Sequence, residues 1–218
     1  MSGIVIELQR DALDSNVDTV TLLRKAYLVA RKLQLNDFQE WVQNELNGYY
    51  HDSAIPSYRE VRGELKGLNP MRGWISVLIP DDELYEAICK RKLLQSIPEI
   101  MSLLNKGSGV VMPFGGSVAA TLSQWVGFST DYRLNIFENT VEAIVETVRN
   151  HILDWAISLE ENGIVGEGLV FTEEEKQQAK QPQIVHYTNN FYGSADNSQV
   201  QQGTNSSEQS KELTTDNS

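Results

Sequence analysis

The sequence predicts an α+β protein, a mainly helical domain with a small antiparallel β-sheet, followed by an extended Asn/Gln-rich tail. Three observations carry this. Apolar residues recur at the i, i+3, i+4, i+7 spacing of a buried helical face near both ends of the first 180 residues, most fully between 139 and 161. Between those stretches lie short runs rich in Val, Ile, Tyr and Trp, broken by Gly, Asn and Pro, as strands joined by turns require. Beyond Pro182 the composition shifts to Asn, Gln, Ser, Thr and Gly. The expected division is therefore a folded domain over 1–182 and a tail over 183–218, with the last stretch, from Thr204, too polar to fold alone.

The first element is an amphipathic helix over Ile4 to Leu13, with Ile4, Leu8 and Ala12 on one face. Asn16 or Asp18 can cap the next helix, from about Thr19 to Leu33, whose buried stripe is Leu22, Leu23, Ala26, Tyr27, Val29, Ala30 and Leu33. A very short turn leads to a third helix, capped by Asn36, in which Phe38, Trp41, Val42, Glu45 and Leu46 follow at helical spacing. Gly48 suits the turn that ends it.

After a loop over His51 to Ser57 the period changes. Tyr58, Val61 and Leu65, then Trp74, Ile75, Val77 and Ile79, suggest a β-hairpin pairing roughly 58–66 with 73–79. Asp81 and Asp82 open a helix to about Arg91, acidic at its positive end and basic at its negative end. Ser96, Pro98 and Glu99 open another, to Leu104. Val110 to Phe114 is extended, Gly115-Gly116-Ser117 leads into a helix to about Val126, and 130–137 alternates as a strand. The helix from Asn139 to Glu161 carries Val141, Ile144, Val145, Val148, Ile152, Trp155, Ala156 and Leu159, long enough to be the spine of the core. Thr172 with Glu175 forms a capping box for a short charged helix to Lys180.

Composition bounds the function. The net charge of -12 argues against a general nucleic-acid or anionic-membrane binder, because phosphate binding needs positive faces. A single cysteine, Cys89, rules out an internal disulfide and a metal site built on paired cysteines, which fits a reducing cytoplasm. Acidic and polar residues come too early for a signal peptide, and no run of about 18 apolar residues exists. The expected place is the cytoplasm.

Chemistry-bearing motifs are sparse. His51, His151 and His186 lie far apart, and there is no GxxxxGK[ST], GxGxxG or GxSxG, so neither a metal nor a cofactor is expected. Gly115-Gly116-Ser117 precedes a helix and could hold an anion, but reads first as a turn with an N-cap. Arg149, Asn150, His151 and Asp154 form the most enzyme-like cluster, since His151 and Asp154 are three apart and an Asp can orient an imidazole. A solvated helical pair is the plainer reading. Arg59, Arg62, Lys66 and Arg72 concentrate positive charge on the expected hairpin, where interleaved Glu60 and Glu64 favour ion pairs over phosphate binding. Cys89 beside Lys90 and Arg91 reads as a buried thiol, and the four tryptophans as core.

The tail holds two β-prone patches. One contains Ile184, Val185, Tyr187, Phe191 and Tyr192. The other is Ser198 to Gly203, with Val200, Gln201, Gln202 and Gly203 at its centre. Such segments favour stacking between identical chains, or strand addition to another chain; a plain linker is the alternative.

Three stretches, LLRKAYLVARKLQLNDFQEWVQNELNGY (22–49), YREVRGELKGLNPMRGWISV (58–77) and VRNHILDWAISLEENGIVGEGLVFTEEEK (148–176), resemble the AbiTii domain family in the family's order, over about 3–180. The family is named for abortive infection, the sacrifice of a phage-infected bacterial cell. The resemblance implies a bacterial phage-defence protein, toxin-like in character, and carries no catalytic residues over. Val200 to Asn205 is similar to the Val-Gln-x-Gly pattern of amyloid signalling motifs, shifted at its Asn. Together these give an antiphage protein that acts by interaction and self-assembly: a homo-oligomer through Phe191, Tyr192 and Val200 to Gly203, with a possible partner protein of a defence system. The alternatives are a catalytic toxin, a nuclease or nucleotide-processing enzyme using Arg59, Arg62, His151 and Asp154, or a non-toxic accessory subunit.

Overall fold

The computed structural model describes residues 3–50, 54–107 and 109–181. Within them the chain is α+β. The helices are α1 (Ile4–Leu13), α2 (Thr19–Leu33), α3 (Asn36–Asn47), α4 (Asp82–Cys89), α5 (Ile97–Leu104), α6 (Gly116–Val126), α7 (Glu138–Glu161) and α8 (Glu173–Ala179). The strands are β1 (Glu60–Arg62), β2 (Glu64–Asn69), β3 (Gly73–Ser76), β4 (Lys90–Lys92), β5 (Val110–Phe114) and β6 (Tyr132–Ile136). A four-stranded antiparallel sheet has the order β3-β2-β6-β5, and β1 pairs with β4 in a separate antiparallel ribbon.

α7 is the spine the sequence indicates. All eight residues of its expected stripe are buried, and α1, α2 and α5 pack on it. Trp155 stacks on Phe38 of α3 with ring centroids 3.7 Å apart, which joins α7 to the α2–α3 hairpin through two aromatic faces. α2 ends at Gln34, whose left-handed backbone (φ 60) turns the chain within two residues into α3.

Arg149 fastens α1 to α7. Its Nη1 donates to the carbonyls of Asp11 (3.1 Å) and Ala12 (3.0 Å), and its Nη2 to that of Val17. These are carbonyls at and beyond the C-terminal end of α1, the groups a helix leaves unpaired and the end a cation stabilises. Arg149 thus braces α1 against α7.

Several expectations are corrected. Asp18, not Asn16, caps α2, accepting from the Thr21 N–H at 2.9 Å. Asn36 is the first helical residue of α3; Leu35 occupies the cap position, with no side-chain cap. The hairpin pairs 66–69 with 73–76, not 58–66 with 73–79, because Gly63 breaks the run and the earlier residues turn to β4. A side chain on Gly63 would meet the Asn135 carbonyl and the Leu134 side chain, so only glycine lets β1 and β2 part there. α4 ends at Cys89, and the basic run Lys90 to Lys92 is strand rather than helix end. Trp41 and Trp155 are core, but Trp74 is half-buried and Trp125 lies on the surface. Both expected capping boxes, Ser96 with Glu99 and Thr172 with Glu175, are formed.

Replacing Arg149 by methionine, which keeps the stem but removes the donors, should cost about 1.5–3 kcal/mol. Urea unfolding would measure it, and hydrogen exchange should quicken first at the amides of α1.

Candidate functional site

The polar groups that converge most closely lie where α3, the 3-10 turn Ser57–Arg59 and α7 meet. α3 directs Trp41 and Glu45, four residues apart, toward the interior. Tyr49 follows just past its end. The 3-10 turn supplies Tyr58 and Arg59, and α7 supplies His151 and Asp154.

Glu45 is the centre. Its Oε1 accepts from the hydroxyls of Tyr58 (2.6 Å) and Tyr49 (2.7 Å) and from Arg59 Nε (3.3 Å), while Oε2 accepts from Arg59 Nη2. Both ion-pair side chains are fully buried. Arg59 Nη1 donates to the Gln95 carbonyl at 2.5 Å and the Leu93 carbonyl at 3.3 Å, and its guanidinium lies 4.9 Å from the Tyr49 ring centroid. Trp41 Nε1 donates to the Tyr58 hydroxyl at 2.9 Å. The pair thus meets the condition under which a buried ion pair is tolerated, with its remaining donors and acceptors satisfied.

The electrostatics follow. Burial, then the Glu45 charge beside them, pushes both Tyr49 and Tyr58 well above the ordinary phenol range, so they remain donors to the carboxylate. Burial works against the charge on Arg59, but the charge and hydrogen bond of Glu45, with Tyr58 and Tyr49, together outweigh it and the guanidinium stays protonated. The cluster offers no activated nucleophile; it offers a rigid wall. The half-buried His151 stands against that wall, 5.2 Å from the Tyr58 ring and 6.3 Å from the Trp41 ring, centroid to centroid. Burial lowers its pKa, opposed by the charges of Asp154 and Glu45.

Of the four candidate residues, the fold brings Arg59 and His151 to the same cluster through Tyr58, with Asp154 acting on His151 by charge. Arg62 turns away, pairing with Glu86 at 2.5 Å and lying 5.8 Å from the Tyr85 ring centroid on α4. Arg59 is sealed, with no surface for phosphate. Cys89 is fully buried, and burial raises its pKa, as the inert-thiol reading expects. α6 starts after Gly115, so Ser117 is not its cap. No group of three His, Cys, Asp or Glu could hold a metal among the described residues. Beside the cluster a cavity of about 180 Å³ is lined in part by Asp37, Glu40, Trp41, Asn44 and Tyr49. Phe191, Tyr192, Val200, Gln201, Gln202 and Gly203 lie outside the described residues. Sequence reasoning placed Arg59 on an exposed hairpin and missed that Glu45 is its partner. A lone carboxylate on the apolar face of α3, one turn after Trp41, was the available signal.

Glu45→Gln should destabilise the protein by about 3–5 kcal/mol, because it strands a buried guanidinium, whereas Glu45→Gln combined with Arg59→Met should recover much of that loss. Chemical denaturation of the two variants measures both. His151 gives a pH dependence of defined sign. Its pKa is lower in the folded state than the ordinary 6.5, so the unfolded chain binds the proton more readily. Stability is then full above about 6.5 and declines as pH falls through that value toward the folded pKa. Unfolding curves of wild type and His151→Gln should differ in slope across that window, the variant being flatter.

The AbiTii family model matches residues 3–184, most of the chain. No curated protein and no solved structure matches.

Proposed function

The chain belongs to the AbiTii family, whose name points to abortive-infection phage defence, and from that premise we propose that it is an antiphage protein acting through protein interaction and self-assembly. The family match over nearly the whole folded part supports the first half. The second half rests on the tail: Asn, Gln and Gly around two short β-prone patches, Ile184 to Tyr192 and Ser198 to Gly203, is the composition that favours stacking of identical chains. The folded domain recognises a partner, and Phe191, Tyr192 and Val200 to Gly203 join copies of the chain. The main polar cluster of the domain is compatible with this division of labour, because the Glu45–Arg59 pair is sealed from solvent.

The experiment compares the full chain with residues 1–182, by sizing column and by growth of expressing bacteria with and without phage. The full chain should elute as a larger assembly and restrict phage, and the truncation should do neither. Equal elution of the two would remove the self-assembly part. Equal phage restriction would move the activity into the folded domain.

A further inference from the structure

The outer face of the four-stranded sheet carries an uncompensated positive charge. Alternation fixes which side chains share it. Tyr132, Leu134 and Ile136 of β6 point into the core, so Arg133 and Asn135 point out. Register then places Lys66 directly opposite Arg133, Ser76 opposite Lys66, and Trp74 opposite Leu68 on the same face. Like charges directly opposite one another in an antiparallel pair oppose the pairing. In a chain of net charge -12, with acidic residues in excess, the two cations are nevertheless neighbours at the middle of the sheet.

Glu64 answers Lys66 but not Arg133. Glu64 is held by the Ser76 hydroxyl and by Lys66 Nζ at 3.1 Å, which together keep its carboxyl below the ordinary range. The Arg133 side chain makes no ion pair and no hydrogen bond among the described residues. Its one polar contact is with Trp74, whose ring centroid lies 4.0 Å from the guanidinium carbon. The guanidinium thus sits over the half-buried indole and gives that aromatic surface a positive charge. Beside it, Asn135 Oδ1 is buried with no partner. A half-buried guanidinium without a counter-charge, a lysine opposite it whose acid is Glu64, and an aromatic face together form a site that lacks one anion.

We propose that this face binds a single nucleotide, its phosphate against Arg133 beside Lys66 and its base stacked on the indole of Trp74. The phosphate follows from the fork geometry of arginine beside a second cation, and the base from the part of the Trp74 indole left open to solvent. One nucleotide fits better than a strand, because the protein's excess negative charge repels a polyanion beyond the two-cation patch. This inference is independent of how the tail acts.

Titration calorimetry of the full chain with AMP, GMP, CMP and UMP, with inorganic phosphate, and with a short single-stranded RNA tests it. At least one nucleotide should bind. Arg133→Gln should weaken that binding at least about tenfold, and Lys66→Gln should weaken it too. Trp74→Leu should weaken nucleotide binding and leave phosphate binding alone. Relief of the like-charge opposition should leave the melting temperature of Arg133→Gln unchanged or raised, whereas a residue kept for folding would lower it. Absence of binding by every nucleotide, or binding unaltered in whichever of the Arg133→Gln and Lys66→Gln variants stays folded, overturns the site. Phosphate binding as tight as nucleotide overturns the stacked base, and RNA binding far tighter than any nucleotide overturns the single-nucleotide assignment.

Discussion

The buried ion pair between Glu45 and Arg59 is the constraint around which the centre of the chain is arranged. Two opposite charges with no exposed surface are tolerable only if geometry and further hydrogen bonds offset their lost hydration. Meeting that condition recruits four separate pieces of backbone. α3 supplies the carboxylate, the residue just after it supplies Tyr49, the 3-10 turn supplies Tyr58 and Arg59, and the segment after β4 supplies the carbonyls of Leu93 and Gln95. The ribbon of β1 and β4 begins from the same point, since the Leu93 N–H donates to the Arg59 carbonyl at 2.9 Å. The start of α5, whose Ser96 is itself nearly buried, follows directly. A change at Glu45 therefore reaches both the helical hairpin and the ribbon.

How much of this was legible in the sequence depended on the range of the signal. The buried face of α7 was readable to the residue, because eight apolar positions at a 3.6 period leave one solution, and so were the capping boxes at Ser96 and Thr172, whose chemistry is complete within four residues. The strands were placed in roughly the right stretches, but their partners were not, because pairing is a non-local choice. Val61 and Leu65 look alike in a β-rich run, yet Gly63 between them sends one to β4 and the other to β6. Lys90 to Lys92 looked like the cationic end of a helix because local charge order fitted the dipole, and tertiary pairing overrode it.

The polar residues were the least legible, for a related reason. Arg59, Arg62 and Lys66 lie within eight positions and carry the same charge, so in sequence they form one basic patch. The fold gives them three environments: Arg59 sealed against Glu45, Arg62 on the surface with Glu86, and Lys66 on the outer sheet face beside Glu64. Arg149 and His151, two apart on α7, likewise separate, one holding the end of α1 and the other facing Tyr58. Charge type is written in the sequence, but the partner that decides what a charge does is supplied by the topology.

The two arginines of contrasting fate, Arg59 and Arg133, show how structure separates charges kept for folding from charges left for binding. Both guanidiniums lie on an aromatic ring, 4.9 Å from Tyr49 in one case and 4.0 Å from Trp74 in the other. Around Arg59 the chain finishes the job: a bidentate carboxylate and two carbonyls leave nothing for a ligand to add. Around Arg133 it stops short, with Glu64 on the same sheet face committed to Ser76 and Lys66 instead. In an acidic chain an anionic partner for Arg133 was the easiest thing to provide. A cation held rigid, half out of water and without a counter-charge weakens the folded state. That cost has a physical rationale once an anion from outside completes the arrangement.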